Sequence, residues 1–194
     1  MSRPREFDTD VALDAAKNAF WDRGYEATSL ADVEATTGLS RSSLYQAFGS
    51  KRGLFDAALD RYRVQNLDPV LAGLEQPGAG LPELRAYLAT LAAAFRDDPV
   101  LAARGCLVVN TMTELGSHDA RARAAALAYH ERITAALANG LRGAASDRLA
   151  RAQAGARART LTASVIGALV LAHLDPGAAA DLCDQLAADL GAAR

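Results

Sequence analysis

Residues 28–51 read TSLADVEATTGLSRSSLYQAFGSK, and the reading of this stretch decides the fold. It divides into two short helical patterns around Thr37-Gly38-Leu39. Ser29 stands where an N-cap belongs, and Asp32, three residues on, can reach back to the free amides as a capping box requires. Leu30 and Val33 fall on one face, with Ala31 small enough to admit a second helix. Gly38 is the residue best able to take a left-handed backbone at a helix end. Ser40 caps the next helix, whose Leu44 and Phe48, spaced i, i+4, point inward. That leaves Arg41, Ser42, Ser43, Tyr45 and Gln46 on the outer face, side chains of the kind that read base edges and hold phosphates. Two short helices, a glycine-bearing turn and a polar second helix fit a helix-turn-helix. Periodicity alone leaves an ordinary αα-hairpin with a solvated outer face equally open.

Working outward, 194 residues are enough for one well-buried domain or two small ones sharing a helix. With 51% apolar and 23% charged residues the chain is globular. Alanine and leucine dominate and no run alternates with period two, so it reads as nearly all helix. The net charge of −2 excludes a generally basic nucleic-acid binder. Residues 1–65 carry nine Lys or Arg against ten Asp or Glu, a balance of −1. The signs are segregated, however. Acids crowd the first two helices, while Arg41, Lys51 and Arg52 surround the second helix of the pair, and Arg3 and Arg5 lie on an arm. Placement can therefore make one positive face on an acidic body.

On this reading a flexible basic arm occupies residues 1–8 and a first helix runs from about Thr9 to Arg23, ending at Gly24. Ser50 caps a helix with Leu54, Phe55, Ala58, Leu59 and Tyr62 inward. Its pattern continues toward Leu74, with Pro69 set to kink or break it. Gln76-Pro-Gly-Ala-Gly-Leu-Pro82 is the clearest linker. Long helices are expected from about Pro82 to Arg96, Asp119 to Arg142, Arg151 to Leu174 and Ala178 to Gly191. The last two form an apolar hairpin carrying Leu161, Val165, Leu169, Leu182 and Leu186. Such a hairpin suits a four-helix dimer interface, and an intramolecular core hairpin remains the alternative.

The run GLSRSSLYQAFGSKRGLF resembles the recognition helix and following helix of the TetR family of bacterial transcriptional repressors. The likeness begins at Ala15-Ala16-Lys17-Asn18-Ala19-Phe20, passes through Gly24-Tyr25 and Thr28-Ser29-Leu30, and ends near Tyr62. The resemblance implies an all-α protein. Its parts would be a helix-turn-helix domain over 9–50, a connecting helix over 51–75, and a larger helical ligand-binding and dimerisation domain over 76–194. It implies phosphate contacts at Tyr45 and Lys51, and base or nearby phosphate contacts at Arg41, Ser42, Ser43 and Gln46, with Ser40 at the helix head and Thr28 at the domain's edge. Many members carry histidine or another polar residue where this chain has Ala47, which can touch a thymine methyl but donates no hydrogen bond. The implied partners are double-stranded operator DNA, a small-molecule inducer and a second copy of the chain. Pairing through the last two helices favours the dimer reading of the terminal hairpin.

For an inducer, the candidate pocket residues are Tyr87, Phe95, Cys106, Asn110, Met112, Thr113, Tyr129 and His130. Cys106 is read either as a thiol sensor beside a cavity or as a small buried hydrophobe. Cys106 and Cys183 make no secretory disulfide framework. His118, His130 and His173 show no i, i+3 or i+4 spacing, so no metal is expected, and no cofactor fingerprint or catalytic motif is visible. No apolar run is long enough to span a bilayer and the N-terminus lacks a signal-peptide core, so the expected location is the cytoplasm. The expected function is ligand-responsive repression. The alternatives are a ligand-independent or thiol-responsive DNA binder, an activator, and a helical enzyme with a relic helix-turn-helix.

Overall fold

The computed structural model describes residues 9–192, with side chains through residue 190. The basic arm expected over residues 1–8 lies outside the described residues. Those that are described form helices and connecting turns, with no strand among them. The chain divides after Asn66 into two compact units.

In the first unit, α1 (Thr9–Arg23) and α4 (Lys51–Tyr62) pack against each other. Phe20 and Phe55 are fully buried and meet edge to face at 5.1 Å, and Trp21 meets Tyr62 in the same way at 4.8 Å. Burying one such ring contributes about 1.5–3 kcal/mol, and offset or edge contacts add to it. At the rim, Arg61 grips Asp14 through both oxygens (2.6 and 3.0 Å) and reaches Asp10 at 2.9 Å. Lys17 donates to Gln65 at 2.5 Å and to Asp14 at 3.3 Å. The Arg61 hydrogen bonds, ahead of those from Gln65 and Lys17, hold the Asp14 carboxyl well below the ordinary carboxylate range.

Between these helices stand α2 (Leu30–Thr37) and α3 (Arg41–Phe48). The connecting helix expected over 51–75 is not one helix. α4 stops at Tyr62, Arg63–Leu67 form a π-helical turn, and α5 spans Asp68–Glu75 with Pro69 in its first turn. Proline is accepted there because those amides have no intrahelical partner.

The second unit continues with α6 (Leu81–Asp97), α7 (Pro99–Ala102), α8 (Leu107–Leu115), α9 (Ala120–Ala144), α10 (Arg148–Leu171) and α11 (Pro176–Ala192). α9 packs along α10 and α6 along α11, around Leu84, Leu88, Leu107, Ile133, Leu137 and Val165. Arg132 of α9 holds α5 by ion pairs to Glu75 (2.6 Å) and Asp68. Asn139 donates to the carbonyls of Leu74 and Gln76, both at 2.9 Å. Near the end of α9, Gly143 lies so close to the turn before α6 that a Cβ there would stand 2.0 Å from the Ala79 carbonyl oxygen.

The assignment of the terminal hairpin requires a correction. Leu161, Val165 and Leu169 are buried within the single chain at 7%, 0% and 8% exposure, so they are core residues, not a free dimer face. The reason is α9: Thr162, between them, meets Thr134 of that helix hydroxyl to hydroxyl at 3.0 Å, which turns the stripe inward. Leu182 and Leu186 remain partly exposed on α11, and α10 shows Val170, with Leu174 in the turn that follows.

Candidate nucleic-acid interface

The frame of the site is built from caps. The Ser29 hydroxyl accepts from the Asp32 amide (3.1 Å) and the Asp32 carboxylate from the Ser29 amide (2.8 Å), completing the capping box. Hydrogen bonds from Ser29, with help from Arg23, lower the Asp32 carboxyl. Gly38 ends α2 at φ 70°, in the region L side chains avoid, and turns the chain into Ser40. The Ser40 hydroxyl accepts from the Ser43 amide and lies 2.8 and 3.0 Å from the hydroxyls of Ser42 and Ser43. Leu44, 4% exposed, pins the helix from below.

This leaves an outward row on α3. Arg41, Ser42, Gln46 and Ala47 are exposed, and Tyr45 is 45% exposed. Arg41 lies 3.8 Å from Glu34, a distance at which an exposed pair contributes little and is easily exchanged for a phosphate. At the start of α4, the Lys51 ammonium sits 4.3 Å over the Tyr25 ring. Tyr25 in turn packs on Phe55 at 4.8 Å and Phe20 at 6.3 Å. A cation so seated is held in one direction on a flexible stem. Tyr25 is the positioning residue to which sequence reading gave no role; its signals were its place after Gly24, where the chain leaves α1, and its part in the family likeness.

Among the described residues, acids of this unit are engaged locally. Asp32 meets Arg23 at 2.9 Å, Asp10 and Asp14 hold Arg61, and Asp56 takes Arg52 at 2.7 Å. The segregation of charge that makes −1 compatible with a positive reading face therefore has a structural form.

Thr28 must be corrected. It is fully buried, and its hydroxyl donates to the Gly24 carbonyl at 2.6 Å. It closes the turn after α1 and offers no side chain to DNA.

Of the candidate pocket residues, the structure brings Tyr87, Cys106 and Tyr129 together. The Tyr87 and Tyr129 phenols both lie near the Cys106 thiol, and Tyr87 also lies near Cys183. Burial first, and the thiols second, push both phenols upward. Phe95 is buried, and Met112 and His130 are half-buried. Asn110 is committed elsewhere, accepting from His173 Nε2 at 3.0 Å and donating to the Arg104 carbonyl at 2.9 Å. Thr113 does not belong with the cluster: it is exposed, and its hydroxyl donates to the Asn110 carbonyl. Among the described residues no group of three His, Cys, Asp or Glu is placed to hold a metal ion, and no helix is long and apolar enough to cross a membrane.

Residues 12–58 match the family described as bacterial regulatory proteins, tetR family, and residues 80–186 match the tetracyclin repressor-like C-terminal domain. The chain belongs to the TetR family. This TetR-family chain is 41% identical over 120 residues to the transcriptional repressor ComR of Escherichia coli K12, covering 58% of this chain and 53% of that protein. It is 36% identical over 119 residues to the transcriptional regulator YezE of Bacillus subtilis 168, covering 61% and 60%. The chain thus spans between half and two thirds of the length of these curated relatives. A cysteine mutant of the TetR-family regulator CifR, solved with 26-bp double-strand operator DNA, shares 30% identity and superimposes with a TM-score of 0.72 over 96% of this chain and 98% of that one. The family is one of transcriptional regulators, not of enzymes.

Proposed function

We propose that the chain is a dimeric transcriptional repressor that binds a palindromic operator and is released by a small molecule. The observation that carries this is the outward row of Arg41, Ser42, Tyr45 and Gln46 on a capped, glycine-turned helix, with Lys51 aimed beside it from the Tyr25 ring. In this reading Tyr45 and Lys51 hold phosphates and set the register. Arg41, Ser42 and Gln46 face base edges, Ala47 meets a thymine methyl, and Ser40 and Ser43 fix the start of the helix. One such helix reads only a few base pairs, and two placed about one turn apart read a palindrome. The second copy is assigned to the α10–α11 side, where Leu182, Leu186 and Val170 are partly exposed. The domains divide accordingly: α1 to α4 read DNA, and α6 to α11 bind ligand and dimerise. An operator-binding regulator works in the cytoplasm. Support comes from ComR, which is a transcriptional repressor, and from CifR, which is a transcriptional regulator solved with its double-strand operator DNA.

The inducer site is the Tyr87–Cys106–Tyr129 cluster, whose two phenols and apolar surround suit a small molecule of mixed polarity. Occupation shifts the population toward a dimer whose two reading helices are misspaced for the operator. The second reading is a thiol response at the same place. Cys106 stands at the N-cap of α8 under the Tyr129 hydroxyl, where alkylation or oxidation forces the cluster apart.

The test begins with selection of genomic fragments by the purified protein, followed by titration of the selected duplex. Lys51→Ala should weaken binding on all sequences and reduce the slope of log K against log salt by about one. Gln46→Ala should instead relax specificity. Unchanged affinity and slope in Lys51→Ala and Tyr45→Ala would remove the proposal. The inducer arm fails separately if ligand affinity is identical with and without operator, since the coupling is reciprocal.

A further inference from the structure

The turn that joins α10 to α11 carries His173, whose imidazole reaches across to the turn before α8 in its own chain. Nδ1 lies 2.8 Å from the Ala103 carbonyl oxygen, and Nε2 lies 3.0 Å from Asn110 Oδ1. Between these contacts the ring rests on the main chain of Gly105, whose φ is 63°. A Cβ at that position would stand 2.3 Å from Nε2 and 2.7 Å from Cε1, so any larger residue would push the ring away. Cys106, 2% exposed, follows as the N-cap of α8, and its carbonyl accepts from the Asn110 amide at 2.8 Å. One side chain thus holds Ala103, Gly105 and Asn110, residues on both sides of the buried thiol.

Both polar partners of the ring are acceptors. The Ala103 carbonyl has no proton to give. The Asn110 amide could in principle turn its nitrogen to the ring, but Nδ2 already donates to the Arg104 carbonyl at 2.9 Å, which fixes Oδ1 toward His173. A neutral imidazole carries one N–H and serves one of the two oxygens, leaving lone pairs opposed across the other contact. Only the imidazolium donates to both. Carboxylates on the surrounding elements have other partners. Asp98 caps α7 through the Leu101 amide and Asp175 caps α11 through the Ala178 amide, each at 2.9 Å, while Asp181 and Asp184 hold Arg96. The same elements also carry Asp97, Arg104, Cys106, Glu114 and Cys183.

We propose that His173 is a proton-operated latch on the segment that carries Cys106. As imidazolium it closes the α10–α11 turn onto Ala103 and Asn110. As neutral imidazole it keeps one oxygen, releases the other and frees the Gly105–Cys106 main chain beneath it. Closure is therefore complete in mild acid and is lost as pH rises through the range in which imidazole titrates. The latch governs the motion of one segment and does not depend on what binds the Tyr87–Cys106–Tyr129 cluster.

The Cys106 thiol is the reporter. The full chain and His173→Ala are treated with N-ethylmaleimide at pH 6 and at pH 8, and modification is followed by mass spectrometry of the Cys106 peptide. Comparing the two proteins at one pH cancels the pH dependence of the thiolate, because the thiol is the same. At pH 6 the unsubstituted chain should react at least about fivefold more slowly than His173→Ala, and at pH 8 the two rates should agree within about twofold. Equal rates at pH 6, or a ratio that is the same at both pH values, overturn the proposal; the second result would make His173 a plain structural tie. Nuclear magnetic resonance of the unsubstituted chain needs no variant. Long-range proton–nitrogen spectra should show both His173 ring nitrogens protonated at pH 6 and one at pH 8, with the Gly105 and Asn110 amide signals moving at the same midpoint. A ring that titrates while those two amides stay in place overturns the proposal as well.

Discussion

Replacing Gly143 by alanine sets two effects of opposite sign against each other. Glycine within a helix costs up to about 1 kcal/mol relative to alanine, so propensity alone predicts stabilisation. Packing predicts the reverse. An added Cβ would lie 2.0 Å from the Ala79 carbonyl oxygen, 3.0 Å from its carbon and 3.4 Å from the Gly80 Cα. Ordinary contact begins near 3.4 Å, so α9 and the turn before α6 must separate by about 1.4 Å, the difference between 3.4 and 2.0. The atoms in the way are backbone and have no rotamer to retreat into. Overpacking costs about 1–3 kcal/mol, and a clash with rigid backbone takes the upper part of that range, about 2–3 kcal/mol, leaving a net loss of about 1–2 kcal/mol once a propensity gain of about 1 kcal/mol is subtracted. Gly155 in α10 is the control, since a Cβ there meets only the flexible end of Arg159 at 3.9 Å. Gly155→Ala should therefore gain about 0.5–1 kcal/mol. Urea unfolding followed by far-ultraviolet circular dichroism should show the Gly143→Ala midpoint lowered by about half a molar to one molar, and the Gly155→Ala midpoint raised. A Gly143→Ala midpoint at or above that of the unsubstituted chain would refute the reasoning.

Asp14→Asn removes a carboxylate whose native pKa is depressed. Its contribution is complete above the ordinary Asp value of about 3.9 and is lost as pH falls from there toward the native value. The stability gap between Asp14→Asn and the unsubstituted chain should be constant from pH 7 to 5 and shrink at pH 3.5; a gap that widens in acid contradicts the assignment. Ser29→Ala should cost about 1 kcal/mol in thermal melts by opening the capping box, and Ser29→Asp should recover most of it. Burial pushes the Cys183 thiol up to about 11, so iodoacetamide at pH 8 should label it only after unfolding in urea, as read by mass spectrometry of its peptide.

The residues that order the reading unit were legible because each acts through its nearest neighbours in sequence. Ser29 with Asp32, Gly38 and Ser40 made their expected caps, and the ends of α1 and of the long helices α6, α9, α10 and α11 fell within a few residues of the sequence expectation, whereas α4 stopped well short of it. What was not legible depends on distant partners. Thr28 looks like a polar surface residue until Gly24, at φ 81°, brings its own carbonyl under the hydroxyl. Leu161, Val165 and Leu169 form a stripe that suits a second copy and α9 equally well, and nothing in the stripe itself names α9. The π-helical turn at 63–67 holds one extra residue in a helical run, which a periodic apolar pattern does not register. Tyr25 was visible as an aromatic after a glycine within the family likeness; that Lys51 rides on its ring is a tertiary fact.

The placement of Trp21 gives the molecule a built-in optical separation. It is the chain's single tryptophan, packed on Tyr62 inside the unit that ends at Asn66, whereas most helical residues lie after that point. Indole emission therefore reports loss of the DNA-reading unit, and ellipticity chiefly reports the rest. Superimposable denaturation curves from the two signals would mark one cooperative transition; emission that changes at lower urea would show the reading head melting ahead of the body that carries it.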